Sequence, residues 1–361
     1  MIISLGILFV LIVTVTVLLQ HPAFGRKPNE ESYARMQRSS AFRDGVFHNR
    51  VEKPVMTKGK KSVLSMFKFI FSKPKNLRPD SPIPVNNPDL NHLDRSEDVA
   101  VWFGHSSIFL QTDGIRYLVD PVLTCEFPVS LMMKPFKGCD KITPNSIPKI
   151  DFLIITHDHW DHLDYGTVSK LRTRVGKVVC PLGVGEYFRL WDYADSNIIE
   201  LDWDESVSLG DGKEIVCLPS QHFSGRLLKR NQTLWASYLL RTENKQIYFS
   251  GDGGYDSRFK EINRKYGSPD FAFLENGQYN EDWHTVHLMP EELVKAVQEL
   301  NPKRFMTIHN SKFALSRHHC KEPLEKIYAS AVALHLNLIT PKIGERVYLK
   351  DSTQKFGEWW K

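Results

Sequence analysis

The sequence predicts an α/β domain in which two packed β-sheets are covered by helices. Short apolar segments with a strand pattern recur between residues 99 and 308, and a helical pattern begins at Pro290. The 361 residues are 42% hydrophobic and 25% charged, which is typical of a globular protein. We therefore expect one large domain with its own core, preceded by an N-terminal extension.

Nine segments have the pattern of β-strands, and the tight-turn sequences Thr112-Asp113-Gly114 and Asp211-Gly212 mark two hairpins. The predicted strands are Val99–Phe103, Ser107–Gln111, Ile115–Val119, Asp151–Thr156, Lys177–Cys180, Glu214–Leu218, Leu234–Leu240, Gln246–Ser250 and Arg304–Ile308.

A helix is predicted from Pro290, because proline suits the first helical position. Glutamates at the next two positions favour the N-terminal end of the helix dipole. Leu293, Val297 and Leu300 then share one face, which is the face expected to pack on a sheet.

The first nineteen residues carry no charge and are mostly apolar. As a helix they would span roughly 30 Å, the thickness of a bilayer core, so residues 1–20 are predicted to form a membrane anchor. A cleaved signal peptide is the alternative, but no basic residue precedes the apolar run. Basic residues follow it, and the positive-inside rule then places the main domain in the cytoplasm. These residues are Arg26, Lys27, Arg35, Arg38 and Arg43.

Residues 21–97 are predicted to be a basic extension and linker. Fourteen Lys and Arg against five Asp and Glu lie between His21 and Asp80, a net +9 that leaves −4 for the rest of the chain. The basic and apolar mixture of this extension suits a membrane surface, and a solvated linker is the alternative. The negative remainder argues against an extended surface for binding nucleic acid.

Five cysteines are widely spaced and form no Cys-x-x-Cys pair, which favours free thiols in a reducing compartment. A bridge between Cys125 and Cys139 is the main alternative.

The most informative segment is residues 156–162, Thr-His-Asp-His-Trp-Asp-His, which ends a predicted strand. Imidazole nitrogens and carboxylate oxygens are good zinc ligands, and a loop can turn them toward two neighbouring ions. Further candidates each follow another predicted strand and complete a set for two metals. The predicted ligands are His157, His159, Asp161, His162, His222, Asp252 and His309.

This pattern resembles the His-x-His-x-Asp-His signature of the metallo-β-lactamase superfamily, and the resemblance extends over residues 98–349. It implies a four-layer αββα sandwich, here a hydrolase domain over residues 98–361, with the site at one edge. It also implies that one zinc ion is bound by His157, His159 and His222, a second by Asp161, His162 and His309, and that Asp252 bridges them.

A closer resemblance is to the branch that holds N-acylphosphatidylethanolamine phospholipase D and the bacterial ascorbate-lactonase-like proteins. The similar motifs are Trp102-Phe103-Gly104-His105-Ser106, Val119-Asp120-Pro121, Phe249-Ser250-Gly251-Asp252 and His287-Leu288-Met289-Pro290-Glu291-Glu292. Two stretches depart from that branch, at residues 275–279 and 310–313, and both are expected to line the substrate pocket. The resemblance therefore implies a zinc-dependent phosphodiesterase for a phospholipid, with a lactonase-like or other soluble-substrate hydrolase as the alternative.

Within this interpretation, a hydroxide bridging the two zinc ions attacks phosphorus, and Asp161 or Asp252 orients it. His287 is the candidate proton donor for the leaving group, with helix capping or packing as its alternative role and His284 as the weaker candidate. His105 and Asp120 are expected either to orient ligands or to be structural. A nuclease and a non-catalytic metal-binding module are further alternatives, which the charge balance and the complete ligand set disfavour.

Overall fold

The computed structural model describes residues 9, 13, 15–57, 74, 76–131, 133–226 and 229–361. Within them, fifteen β-strands form two large sheets and one hairpin. The hairpin pairs β1 (Phe42–Arg43) with β2 (Val46–Phe47).

The first large sheet has seven strands in the order β15-β3-β4-β5-β6-β7-β8. Its strands are β3 (Val99–Trp102), β4 (Ile108–Thr112), β5 (Ile115–Val119), β6 (Ile150–Ile154), β7 (Val175–Pro181), β8 (Ile198–Leu201) and β15 (Arg346–Tyr348). Strands β5 to β8 run parallel, so their carboxyl ends meet at one edge of the sheet.

The second sheet has six strands in the order β14-β13-β12-β11-β10-β9. Its strands are β9 (Ser206–Gly210), β10 (Lys213–Leu218), β11 (Ser237–Arg241), β12 (Gln246–Phe249), β13 (Phe271–Glu275) and β14 (Arg304–Ile308). Strands β12 to β14 are parallel, and β10 runs in the same direction because β11 pairs antiparallel with both β10 and β12.

Six α-helices lie in the described part of the chain: α1 (Glu30–Gln37), α2 (Tyr165–Leu171), α3 (Gly185–Leu190), α4 (Arg258–Tyr266), α5 (Pro290–Leu300) and α6 (Glu322–Leu334). The predicted face of α5 is buried and packs with Leu239 and Ala272 of the second sheet. One large cluster of buried side chains joins apolar residues of both sheets, including Phe109 and Phe249. The predicted arrangement of two packed sheets with flanking helices is confirmed.

Residues 21–57 pack against the large domain. Met36 of α1 and Phe47 of β2 are buried in one cluster with Trp235, and the ring of Phe24 contacts that of Trp160. The predicted anchor lies largely outside the described residues, as does most of the basic and apolar run at residues 58–73. Among the helices that are described, none has the length and apolarity needed to cross a membrane.

The nine predicted strands are present with small shifts at their ends, and the turn at Asp211-Gly212 joins β9 to β10. Strands β1, β2, β8, β9, β13 and β15 were not predicted. All five cysteines are free, so Cys125 and Cys139 form no bridge.

Candidate metal centre

The loops that carry the predicted ligands meet where the carboxyl ends of the two sheets come together. Residues 156–162 follow β6, and His222 follows β10 in the other sheet. Asp252 follows β12, and His309 is the first residue after β14. The parallel direction of these strands therefore brings side chains from distant parts of the sequence to one place.

Three histidines form the first group. His157 Nε2 lies 2.9 Å from His159 Nδ1, and His222 Nε2 lies 3.2 Å from that same Nδ1. The three nitrogens converge closely enough to be ligands of one ion.

The second group contains Asp161, His162 and His309, with His105 beside them. Asp161 Oδ2 lies 3.3 Å from His309 Nε2 and 3.8 Å from His162 Nε2. All of these side chains except that of Asp161 are almost fully buried.

The carboxylate of Asp252 lies between the two groups. Its Oδ2 is 3.1 Å from His162 Nε2 and 3.0 Å from His309 Nε2 on one side. On the other side it is 3.9 Å from the Nε2 atoms of both His157 and His222. One oxygen thus faces ligand candidates from both groups, as a bridging carboxylate would.

These groups fit a metal centre on their own chemistry. His162 Nε2 and Asp252 Oδ1 are buried without a hydrogen-bond partner among the described residues, which is costly for polar atoms unless something else binds them. The ring nitrogens of the first group also converge on one another, an arrangement that a shared cation satisfies. Nitrogen donors with a few carboxylate oxygens suit zinc, iron and similar transition metals.

For His162 and His222, contacts outside these groups occupy the outer ring nitrogen, which favours the tautomer that leaves the inner nitrogen free. The Nδ1 of His162 lies 2.8 Å from Asp120 Oδ2, and Thr156 donates two hydrogen bonds to that carboxylate. The Nδ1 of His222 lies 3.0 Å from the carbonyl oxygen of Val286. Asp120 therefore contacts a ligand candidate, as one of its two predicted roles required.

His105 contacts Asp161 in the same way, with Nε2 2.8 Å from Oδ2. Its backbone and that of His309 both adopt left-handed conformations, with φ of 53° and 66°. The two segments are joined by hydrogen bonds from His309 N to His105 O and from His105 N to Asn310 O, each 2.9 Å long. Left-handed backbone in residues other than glycine is uncommon and is often found at functional sites, so this pairing holds two strained residues at the centre.

Burial and neighbouring charge set the protonation of the site. Burial lowers the pKa of His157 and His222 well below the usual range and that of His159 to about 4. Burial also opposes a charged His309, but Asp252 and Asp161 outweigh it and raise the pKa of His309 to about 10. The first group therefore offers neutral lone pairs, and the second carries positive charge that a metal cation would replace.

His287 lies beside both groups, and its Nδ1 is hydrogen-bonded to the carboxylate of Glu275. The other oxygen of Glu275 accepts a hydrogen bond of 2.6 Å from Gly253 N. The ring of His287 stacks on that of His309 at 5.2 Å, and its side chain is 13% exposed. Since Glu275 occupies Nδ1, Nε2 is the nitrogen available to a substrate.

A cavity of about 250 Å³ opens above the centre, with Asp161, Asp252, His287 and His309 at its floor. Its remaining walls are mostly apolar and come from Val55, Met56, Phe223, Trp283, Val286 and Leu315. Arg230 is the only lysine or arginine among the described residues that line the cavity, and its guanidinium lies 5.1 Å from the ring centre of Phe223.

His284 and the two stretches that depart from the related branch were also expected near the site. His284 does not line the cavity, and His318 accepts a hydrogen bond from the backbone N–H of Gln278. Gln278 lines the cavity, whereas Lys312 is buried and donates to the carbonyl oxygens of Phe103 and Val122. Only one of the two departures from the related branch therefore reaches the pocket.

The glycines beside Asp252 lie in close contact with neighbouring loops. A Cβ atom at Gly254 would lie 2.2 Å from the carbonyl oxygen of Thr285. A Cβ atom at Gly253 would lie 2.3 Å from Ser220 Oγ. These glycines therefore allow the neighbouring loops to approach the centre closely.

Comparison with known proteins agrees with this geometry. Residues 115–310 match the family described as a beta-lactamase superfamily domain. An uncharacterized protein of Mycobacterium tuberculosis is 34% identical over 332 residues, which cover 90% of this chain and 88% of that protein. An N-acyl-phosphatidylethanolamine-hydrolyzing phospholipase D of Caenorhabditis elegans is 28% identical over 267 residues, which cover 69% of this chain and 74% of that enzyme.

Among solved structures, the diiron β-hydroxylase CmlA from Streptomyces venezuelae is similar in fold, with a TM-score of 0.54 and 20% identity. That similarity covers 70% of this chain and 54% of the hydroxylase. The family match and the mycobacterial relative establish that the chain belongs to the metallo-β-lactamase superfamily of metal-dependent hydrolases.

Proposed function

We propose that the protein is a zinc-dependent phosphodiesterase of the phospholipase D type that hydrolyses a phospholipid similar to N-acylphosphatidylethanolamine. The observation that carries the proposal is the pair of ligand groups on either side of Asp252 at the floor of an apolar cavity. The similarity to the Caenorhabditis elegans phospholipase supports the choice of substrate class.

In this proposal His157, His159 and His222 would hold one zinc ion, Asp161, His162 and His309 would hold the second, and Asp252 would serve both. Bound metal ions of this kind lower the pKa of a shared water toward 7 and stabilise charge on a phosphoryl group. The free Oδ1 of Asp252 is placed to orient the attacking water, and Asp161 can do the same from its exposed side.

His287 then donates the proton that the leaving alkoxide needs. Its ring lines the cavity, and Glu275 holds Nδ1 so that Nε2 faces the substrate. A carboxylate behind an imidazole also fixes the orientation of the ring, which a group that transfers a proton to the substrate requires.

The cavity favours an anionic substrate with an apolar part. Arginine matches phosphate oxygens with two parallel hydrogen bonds, and Arg230 lies at the wall with its guanidinium over Phe223. About 250 Å³ admits a phosphodiester and its nearest substituents, so acyl chains must leave through the mouth. Met56 lines that cavity and is 44% exposed, which gives the chains an apolar surface there.

Association with a membrane belongs to the same proposal. The apolar residues 1–20 would anchor the chain, with the basic extension facing anionic lipid and the domain in the cytoplasm. A protease-protection assay on intact inner membrane tests the topology, since digestion of the domain from the outer face would contradict it.

The substrate is tested by mass spectrometry of products from a phospholipid panel, with a lactone and an RNA as controls. We expect a phosphatidate and an N-acylethanolamine-type alcohol from the diester, and no cleavage of RNA. If only the lactone is hydrolysed, the phosphodiesterase proposal is wrong and the alternative of a soluble-substrate hydrolase is supported. The proposed metal centre would be unaffected by that result.

A further inference from the structure

We propose that Phe47–Thr57, called here the N-terminal strap, is a working part of the metal centre, and that Asn49 is the positioning residue for His222. The inference rests on the proposed metal centre and extends it to a segment that lies outside residues 115–310, the part of the chain matched by the family.

The side chain of Asn49 is hydrogen-bonded to both the N–H and the carbonyl oxygen of His222. Its Nδ2 donates to the carbonyl oxygen of His222 at 2.7 Å, and its Oδ1 accepts the His222 N–H at 3.1 Å. The indole of Trp235 donates to the same Oδ1 at 3.0 Å, which fixes the orientation of the amide. His222 lies beyond the end of β10, and these hydrogen bonds take the place of those that a neighbouring strand would make to its backbone.

A second set of contacts joins the strap to the loop that contains Val286, whose carbonyl oxygen contacts the His222 ring. Thr285 Oγ1 donates to the Pro54 carbonyl oxygen at 2.7 Å. Thr57 donates through N to Asp282 O at 2.8 Å and through Oγ1 to Glu281 O at 2.7 Å. The next residue after Thr285 is Val286, whose carbonyl oxygen lies 3.0 Å from His222 Nδ1. The strap therefore braces both the backbone of His222 and the acceptor that orients its ring.

The start of the strap is held by packing. Phe47 is fully buried, and its N–H donates to the carbonyl oxygen of Asn231 at 2.8 Å. Between the two braced regions, Val55 and Met56 line the cavity above the centre. The strap therefore extends from its contact with His222 to its contact with Thr285. Between these contacts, Val55 and Met56 form part of the cavity wall.

The first experiment measures zinc dissociation constants by competition with a chelating dye for the full chain and for Asn49→Ala. Partners that orient a metal ligand are typically worth 10- to 100-fold in affinity, so we expect one of the two zinc sites to weaken by about that factor. The other site should keep its affinity, because the hydrogen bonds of the Asn49 side chain go to His222 and Trp235.

Two controls separate positioning from stability. Asn337→Ala removes a distant exposed asparagine that donates to Lys303 O, and it should change neither site. Met36→Ala removes a buried side chain from the cluster that contains Phe47, so it should lower the unfolding temperature while leaving the zinc affinity close to that of the parent. Equal loss of zinc affinity in Met36→Ala and Asn49→Ala would overturn the positioning role.

A double-mutant cycle gives the decisive result. If Asn49 acts through His222, then Asn49→Ala should have no further effect on zinc affinity in a His222→Ala background. Additive losses would overturn the inference. Failure of the parent protein to bind zinc would instead refute the metal centre, whereas two normal sites in both the parent and Asn49→Ala would refute the strap alone.

Discussion

The floor and the walls of the cavity are built in opposite ways. The floor consists of mostly buried histidines and carboxylates that follow strand ends, and the rings of His162 and His222 are held by contacts on their outer side. The walls come from an N-terminal segment and from loops, and they include partly exposed side chains such as Met56 and Arg230. The floor thus has one geometry imposed by two sheets, and the walls depend on contacts between segments far apart in the chain.

This difference separates the reaction class from the substrate. A rigid constellation of nitrogen and oxygen donors determines what chemistry is available, whereas the wall residues determine which molecule reaches it. The predictions below test the two parts of the cavity separately.

The largest effect is expected from Asp252→Ala. Its Oδ2 is the only described carboxylate oxygen that faces histidines of both groups, so its loss should remove metal affinity and turnover together. Elemental analysis of the purified variant should show fewer than two metal ions per chain, with turnover below detection. Asp140→Ala, at an exposed position, is the matched control. Two tightly bound ions in Asp252→Ala would contradict the bridging role.

His287→Ala should keep both metal ions and slow the chemical step. A general acid is typically worth 10²–10⁴-fold, which is about 3–5 kcal/mol of barrier. The defect should appear with a natural alkoxide leaving group and largely vanish with nitrophenolate, which needs little protonation.

Equal slowing of both substrates would show that His287 positions the substrate and donates no proton to it. Loss of metal would place His287 in the metal shell, which its distance from His222 and Asp252 also permits. Kinetics with both esters and elemental analysis on one protein preparation distinguish these results.

The floor could be predicted from the sequence because its signals are local. Four of the ligand candidates fall within six residues, and each of the others directly follows a strand whose apolar pattern is visible. Glu275 was harder to assign, since β13 is buried on both faces and shows no alternation of apolar and polar residues. Because the sequence did not predict β13, it did not place Glu275 at a strand end beside Asp252.

The walls could not be predicted in this way. Asn49 lies 173 residues before His222, and a single asparagine in an irregular segment carries no periodic signal. Arg230 lies outside any helix or strand and resembles any other surface base in sequence. Contacts of this kind arise only after the two sheets have packed, so composition and spacing contain little trace of them.

Two truncations test whether the walls need the N-terminal segment. Removing residues 1–20 should release the protein from membranes and leave metal content and turnover unchanged, because the ring contacts of His21 with Phe127 and Tyr165 and the strap are retained. Removing residues 1–57 deletes Asn49 and the strap, so at least one zinc site should weaken by about 10- to 100-fold. Sedimentation with membranes measures the first effect, and zinc competition measures the second. Unchanged zinc affinity in the longer truncation would show that the metal centre does not depend on the N-terminal segment.

The smallest effect is expected from Arg230→Ala, which changes a wall residue and leaves the floor intact. A hydrogen bond to a charged group is worth about 1.5–3 kcal/mol when buried, and Arg230 is exposed, so we expect a rise in KM of about tenfold for an anionic diester. For a neutral ester or lactone, KM should not change, and kcat should be retained for both. Arg264→Ala, at an exposed position on α4, is the matched control. Equal losses with anionic and neutral substrates would mean that Arg230 only shapes the wall, and an unchanged KM for the diester would remove it from substrate recognition.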